Sequence, residues 1–184
     1  MPPPSETQDA AGLLPRAAAF LVDVTLLAAA IQAVHWSLYF ATEGSRELLE
    51  SPRALGLFLL VTVTLPCWAY FALTEASARR ATLGKRLMRL GVSDAYGARI
   101  GLGRSLFRNA VKLVPWELTH VTLVYPTPVF LEAAPQRFRV GFLVVYGLIG
   151  LYLGAAMMTR RSQSVHDLAA GTYVHRLPPG PPGR

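Results

Sequence analysis

The amino-acid sequence predicts an all-α membrane protein, a small polytopic helical bundle of about four membrane segments with a short cytoplasmic β-hairpin. Two observations carry this prediction. Of the 184 residues, 52% are hydrophobic and the mean hydropathy is +0.35, with the apolar residues gathered in long runs as in membrane proteins. The formal net charge is +7, and nine of the 18 Lys and Arg residues lie between Arg79 and Lys112. Basic loops of this kind between apolar runs stay cytoplasmic.

The two ends of the chain lack the patterning of folded segments. Residues 1–12 have neither the basic start nor the short apolar core of a secretory signal peptide, so we expect a disordered cytoplasmic tail. Residues 177–184 are rich in Pro and Gly and are also expected to be disordered. A single membrane domain over residues 13–176 lies between these tails.

Three apolar stretches each approach the roughly 20 residues that cross a bilayer core. They cover about residues 17–40, 54–73 and 140–158. The loop after the first stretch is weakly acidic and the loop after the second is strongly basic, which places the amino terminus in the cytoplasm. Arg160 and Arg161 follow the last stretch directly and place the carboxyl terminus on the same side. Both termini on one side require an even number of membrane segments.

The fourth segment, over about residues 104–131, is the least regular. It begins as an amphipathic helix in which Arg104, Arg108 and Lys112 recur every four residues, which predicts a helix in the interface with its cations among lipid headgroups. From Leu113 onward the segment is apolar but interrupted by prolines, so we expect it to be irregular or re-entrant. The cations expected to contact anionic lipid are Lys85, Arg86, Arg89, Arg104, Arg108 and Lys112.

Two further patterns concern the cytoplasmic side and the last span. Residues 90–101 are typical of a small β-hairpin, and residues 171–177 are the only other strand-like stretch that could extend it. Gly147, Gly150 and Gly154 form a GxxxG-type pattern, which allows close helix packing within the subunit or in a homo-oligomer.

The first span carries two charged residues, Arg16 and Asp23, seven positions apart. Two helical turns place both on one face about 10 Å apart, too far for a full ion pair, so each would find partners on a neighbouring helix. A charge near the hydrocarbon centre costs roughly 2.5–3.5 kcal/mol and must be offset. Asp23 is therefore either a proton- or cation-binding carboxylate or one half of a structural pair with an arginine.

Three other polar residues are expected close to these two. Glu75 ends the second span, and His166 and Asp167 follow the last one. Asp167 is also placed to cap a short helix, and it lies within plausible reach of Arg16. The sequence therefore predicts a charge cluster at the cytoplasmic side that binds an ion or proton or holds the helices together. Its members are Arg16, Asp23, Glu75, His166 and Asp167.

Several of these motifs resemble one family of bacterial and archaeal membrane proteins. An arginine opens the first span, an aspartate lies within it, and "TLGKRL" (residues 82–87) and "VHDLAAGT" (residues 165–172) follow in that order. Together they resemble the RDD family, which is named for one arginine and two aspartates. The resemblance covers about residues 13–176 and assigns these positions to Arg16, Asp23 and Asp167. It implies a polytopic membrane protein, for which transport of ions or small solutes has been proposed.

Other function classes lack their characteristic motifs. Gly84 and Lys85 have no upstream glycine to complete a phosphate-binding loop, and the lone Cys67 provides neither a disulfide nor a thiolate metal site. Glu117 and His120 share a helical face but have no matching pair elsewhere. The sequence shows no nucleophile with a paired base, so we expect no enzyme, no cofactor, no metal and no nucleic-acid partner.

Two functions remain open from the sequence. The first is a transporter or transport component for a cation, a proton or a small solute, with Asp23 as the ion-responsive group and a homo-oligomer as its assembly. The alternative is a scaffold or accessory protein whose Arg/Asp pairs are structural and whose basic amphipathic helix binds a partner or anionic lipid. Both place the chain in the cytoplasmic (inner) membrane, in contact with the bilayer and its anionic lipids.

Overall fold

A computed structural model describes residues 10–41, 51–129 and 139–178 of the chain. Most of these residues are helical. The helices are α1 (Leu13–Ala41), α2 (Pro52–Ala76), α3 (Leu83–Leu87), α4 (Leu102–Val124), α5 (Val140–Met158) and α6 (Val165–Ala170). The strands are β1 (Leu90–Asp94) and β2 (Thr172–Arg176).

Three helices, α1, α2 and α5, are long and apolar enough to cross a membrane. In the most apolar stretches of α1 and α5 only 11% of the residues are buried. Helices that leave apolar side chains outside while satisfying their own backbone hydrogen bonds are suited to hydrocarbon. The prediction of apolar membrane helices is confirmed at these three positions.

Helix α2 contains a π-helical turn over Leu60–Thr64, immediately before Pro66. The N–H of Leu65 binds the carbonyl of Leu60, five residues back. Proline has no N–H and clashes with the carbonyl four residues earlier, here that of Thr62. The wider turn lets the helix continue through the proline, as π-bulges commonly do.

Helix α4 corrects two expectations from the sequence. It is a continuous helix to Val124, with Pro115 inside it, and not an irregular segment from Leu113 onward. Its buried and exposed faces are also the reverse of those expected for an interfacial helix. Arg108 is 1% exposed, whereas Phe107 is 53% exposed. The polar residues Ser105, Arg108 and Asn109 face the bundle because their partners lie there, whereas Leu106 and Phe107 face outward.

The two strands form one antiparallel sheet, with Leu90 opposite Arg176 and Asp94 opposite Thr172. The predicted hairpin within residues 90–101 is therefore wrong, because β1 pairs with β2 and not with the residues that follow it. The reason is local. The Asp94 carboxylate accepts the N–H groups of Tyr96 and Ala98, which turns the chain toward α4.

The folded part begins earlier than the predicted boundary at residue 13. Ala10 bridges His175, and the N–H of Ala11 donates to the carbonyl of Val174 at 2.9 Å. Ala11 is completely buried, in a small core that also includes Ala19, Leu90, Val92, Ile100 and Val174. The remaining parts of the predicted tails, residues 1–9 and 179–184, lie outside the described residues.

Close approach between elements uses other glycines than the predicted ones. A Cβ on Gly147, Gly150 or Gly154 would meet no atom within 4 Å, so these residues make no close contact within the described parts of the subunit. A Cβ on Gly84 would lie 2.0 Å from the carbonyl oxygen of Ala19. Glycine at position 84 is what allows α3 to touch α1.

Candidate functional site

Asp167 belongs to a short, doubly capped helix. Ser164 and Asp167 form a capping box at the start of α6, in which the N–H of Ser164 donates to Asp167 Oδ2 at 3.3 Å. At the other end Gly171 adopts a left-handed conformation, with φ of 60°, which favours glycine. The "VHDLAAGT" motif therefore fixes the Asp167 carboxylate in the interior.

Arg108 on α4 joins this carboxylate to that of Glu75 on α2. Its Nη2 donates to Asp167 Oδ1 at 2.7 Å, and its Nη1 donates to Glu75 Oε2 at 2.6 Å. Asn109 also donates to Glu75 Oε2, at 3.0 Å. Both carboxylates have no solvent exposure, so their charges depend on these partners.

Two more cations complete the arrangement. Arg16 on α1 donates to the other oxygen of Asp167 and to the carbonyl of Ser162. Lys85 on α3 donates to the other oxygen of Glu75. The resulting charge chain alternates in sign and links α1, α6, α4, α2 and α3 in turn. Its members are Arg16, Asp167, Arg108, Glu75 and Lys85.

The charge chain sets the protonation of the two groups on α6. Burial raises the pKa of Asp167, but the positive charges of Arg108 and Arg16 hold this pKa well below its usual range. Burial and the positive charge of Arg108 depress the pKa of His166 far below its usual value, despite the nearby Asp167. At neutral pH Asp167 is ionised and the His166 imidazole is neutral.

Asp23 accepts three hydrogen bonds from neutral donors. Tyr70 Oη donates to Oδ1 at 2.6 Å, Thr82 Oγ1 to Oδ2 at 2.6 Å, and the N–H of Gly84 to Oδ1 at 2.7 Å. No Lys or Arg of the described residues lies within ion-pair distance of Asp23. The cost of burying this charge is therefore offset by hydrogen bonds, since a carboxylate that accepts several is strongly stabilised.

The "TLGKRL" motif supplies most of these contacts. Thr82 caps the start of α3 by accepting the N–H of Lys85 at 3.2 Å, while its hydroxyl donates to Asp23. Gly84 permits the close approach to α1, and Lys85 binds Glu75. Three residues of one motif therefore attach α3 to two different helices.

A cavity of about 340 Å³ lies beside the charge chain, between α1, α4 and α5. We call it the charged cavity. The acidic and basic side chains that line it are Arg16, Asp23, Lys85, Arg108 and Lys112, and His166 also reaches it. Its remaining wall is largely apolar and includes Phe20, Leu113, Trp116, Ile149 and Leu153.

A second cavity of about 210 Å³ continues along α1 away from the charge chain. We call it the apolar cavity. Its polar wall residues are Gln32, His35 and Cys67, and it shares Phe20, Leu113 and Trp116 with the charged cavity. These three side chains therefore lie where the two cavities meet.

Comparison with known proteins gives the family of the chain. The family model described as "RDD family" matches residues 10–171, which is most of the 184 residues. The chain belongs to the RDD family. No curated protein and no solved structure matches it significantly. The predicted family is thereby confirmed, and the family and the apolar helices together identify a membrane protein.

Among the predicted cluster of this RDD protein, Arg16, Glu75 and Asp167 are joined by the charge chain, with His166 Nε2 3.7 Å from Asp167 Oδ2. Asp23 lies apart from the chain, and Thr82 and Gly84 connect it to α3. The expected position of Arg16 and Asp167 at the cytoplasmic interface placed them within reach of each other, and the structure shows that pair. An arginine partner for Asp23 was one of the two expectations, and it is not present among the described residues.

The predicted lipid contacts need correction. Lys85 and Arg108 are buried and bind carboxylates, so they do not face headgroups. Lys112 points inward over the Phe71 ring, 3.5 Å from its centroid. Arg86, Arg89 and Arg104 are exposed.

Some residues of the site in the RDD protein were missed from the sequence. These are Tyr70, Thr82, Gly84, Asn109 and Thr172. One signal was available, because Ser105, Arg108, Asn109 and Lys112 follow the i, i+3, i+4, i+7 spacing of a packing stripe. In a helix whose other face is apolar, that polar stripe faces the protein interior when lipid surrounds it.

Proposed function

We propose that this RDD protein is a small transporter or transport component of the inner membrane, not an enzyme, that moves a cation, a proton or a small solute through the two cavities. The observation that supports this function best is the arrangement of the cavities. They lie one after the other along α1 and share Phe20, Leu113 and Trp116, which we interpret as a constriction between them. A carrier requires a path that is closed between its two cavities, because a continuous open pore would leak.

The length of this path matches a membrane. The charged cavity begins at Arg16 and the apolar cavity reaches His35, both on α1. Nineteen residues of helix rise about 28 Å, close to the roughly 30 Å of a hydrocarbon core. The two cavities together therefore extend over most of the bilayer thickness in the proposed orientation.

The charge chain supports four membrane segments with both termini in the cytoplasm. It brings together the start of α1, the end of α2, the start of α4 and the segment after α5. Helix α4 has 23 residues and packs beside α2 and α5. In this proposal α4 is the third crossing, and the exposed Arg86, Arg89 and Arg104 mark the cytoplasmic end by the positive-inside rule.

Asp23 is the ion-responsive group in this proposal. It lines the charged cavity and also holds α3 against α1. A proton on its carboxyl group removes an acceptor from Thr82, Tyr70 or Gly84 and weakens the attachment of α3. Protonation of Asp23 at the cavity is thereby coupled to a movement of α3, which lies in the basic segment between α2 and α4.

The test is proton flux in proteoliposomes containing a pH-sensitive dye, driven by an imposed cation gradient. We expect flux with the wild type and with Glu117→Gln, and none with Asp23→Asn. Glu117 is the matched control, because it is a carboxylate of the bundle that accepts from Thr64 and Trp68 and lines neither cavity. Size-exclusion profiles establish that the variants are folded. Undiminished flux through a folded Asp23→Asn variant contradicts the role of Asp23.

A second candidate, the scaffold or accessory protein, is favoured by one specific observation. Asp23, Glu75 and Asp167 all have their donors within the described residues, as structural groups do. No wild-type flux with any tested cation, together with early melting of Asp23→Asn, would support this candidate over transport.

A further inference from the structure

The charged cavity has more basic side chains than carboxylates. Four cations line it, namely Arg16, Lys85, Arg108 and Lys112. Three carboxylates balance them, Asp23 in the wall and Glu75 and Asp167 behind it. The described residues therefore leave one basic side chain of this cavity without a carboxylate of its own.

Lys112 is the cation that lacks a carboxylate. Its Nζ lies 3.5 Å from the centroid of Phe71 and 5.0 Å from that of Phe20, and it makes no hydrogen bond or ion pair with any described residue. These cation–π contacts stabilise an ammonium group but supply no counter-charge. The Lys112 side chain is half-buried, and a partly desolvated ammonium group is stabilised by a negative charge placed next to it. The site is therefore complementary to an anion.

The carboxylates nearest to this cation do not meet that need. Both oxygens of Asp23 bind donors from α2 and α3. Glu75 binds Lys85 on one oxygen, and Arg108 and Asn109 on the other. A ligand anion at Lys112 would add the missing charge without displacing any of these contacts.

The rest of the cavity is suited to an apolar group. Moving along α4 from Arg108 to Thr119, the lining changes from cationic to Leu113, Pro115 and Trp116. This stretch measures about 16 Å at the helical rise. Leu153 and Ile149 of α5 line the same cavity opposite α4. The volume, about 340 Å³, lies in the range of small-molecule sites.

We propose that the charged cavity binds an amphiphilic anion drawn from the bilayer, with a compact anionic head at Lys112 and Arg16 and a single apolar chain along Leu113, Trp116 and Leu153. The inference rests on the proposed function and names the solute class of the same site. It commits to an amphiphile because a free inorganic anion would leave the apolar wall of the cavity without a partner.

The test is native mass spectrometry of the full chain in a neutral maltoside detergent, counting bound ligands. The probe is dodecyl phosphate. We expect one saturable adduct on the wild type. Inorganic phosphate supplies a head without a chain, and dodecylphosphocholine supplies the same chain with a zwitterionic head. Binding of either comparison compound as tight as that of dodecyl phosphate overturns the proposal.

Variants locate the site. Lys112→Gln should weaken the dodecyl phosphate adduct by about tenfold or more, because a charge-assisted contact is lost. Arg104→Gln is the matched control, since it removes an exposed cation two turns earlier on the same helix, and it should bind as the wild type does. Equal loss in both variants, or no loss in Lys112→Gln, overturns the assignment.

Folding gives a second and independent check on Lys112. If the Lys112 ammonium has no counter-ion until an external anion binds, Lys112→Gln without ligand should melt no lower than the wild type. A large decrease in its Tm would make Lys112 a structural residue and overturn the proposal. Failure of this inference is distinguishable from failure of transport. Flux without Lys112-dependent binding leaves transport standing, whereas Lys112-dependent binding without wild-type flux leaves the ligand class standing.

Discussion

At the scale of single residues, the burial of Asp23 is explained without an ion pair. Hydrogen bonds from Tyr70, Thr82 and Gly84 stabilise its charge. Arg16 and Asp167 do form the ion pair expected from their common position at the cytoplasmic side. Position within one helix shows that Asp23 needs partners, but it does not show which of the neighbouring side chains supply them.

His166 gives the first prediction at this scale. Its pKa is depressed in the folded state, whereas an unfolded histidine titrates near 6.5. Below about pH 6.5 the unfolded state therefore binds a proton that the folded state does not, and stability falls as the pH decreases. We expect the Tm in detergent to fall between pH 7.5 and 5.5, and to fall less steeply for His166→Gln.

The same measurement distinguishes protonation from packing at His166. The depressed pKa of Asp167 keeps its stabilising charge throughout this window, because that contribution is lost only as the pH falls below about 3.8. Equal Tm values for wild type and His166→Gln at pH 8 would assign the difference at pH 5.5 to protonation. Identical slopes for the two proteins would contradict the prediction.

At the scale of elements, α4 shows how lipid reverses the usual interpretation of an amphipathic helix. Ser105, Arg108 and Asn109 are buried, and Leu106 and Phe107 are exposed. In water the apolar face would be covered, but in a membrane the polar face is the one that needs protein partners. The periodicity predicts the helix, whereas the solvent decides which face is buried.

The contact of α3 with α1 gives a prediction at the element scale. Gly84→Ala places a Cβ 2.0 Å from the carbonyl oxygen of Ala19 and 3.0 Å from Asp23 Cγ. Helix α3 must then move away and lose its hydrogen bond to Asp23, at a cost of about 1–3 kcal/mol from overpacking. We expect a clearly lower Tm in detergent.

Gly103→Ala is the control for that substitution. A Cβ at Gly103, in the first turn of α4, meets no atom within 4 Å. Its Tm should equal or slightly exceed that of the wild type, because alanine favours a helix by about 1 kcal/mol over glycine. Equal Tm values for Gly84→Ala and Gly103→Ala would show that the close approach is unimportant.

At the scale of the whole molecule, the two cavities and the charge chain occupy distinct levels along the bundle. The charge chain connects five helices at one end. The cavities begin there and continue along α1 to His35. Transport through them requires the constriction of Phe20, Leu113 and Trp116 to separate the two spaces in the resting protein.

Trp116→Ala tests this separation. Removing the largest of the three shared side chains joins the two cavities, so we expect a proton leak in proteoliposomes even without a cation gradient. Trp36→Ala is the control, because Trp36 is 53% exposed on α1 and lines neither cavity. A Trp116→Ala variant as tight as the wild type would argue against a path through the constriction.

The sequence by itself determined the family and the three apolar helices. It also indicated that Arg16, Glu75 and Asp167 belong to one charge cluster and that Asp23 needs partners. Hydropathy and charge are properties of short stretches of chain, so these features can be recognised from the local sequence. Only the tertiary structure decided that β1 pairs with β2, that Arg108 and Lys85 turn inward, and that Thr82 and Tyr70 serve Asp23. Those choices depend on contacts between residues far apart in the chain, and a buried charge takes whichever partner the packing of the helices brings to it.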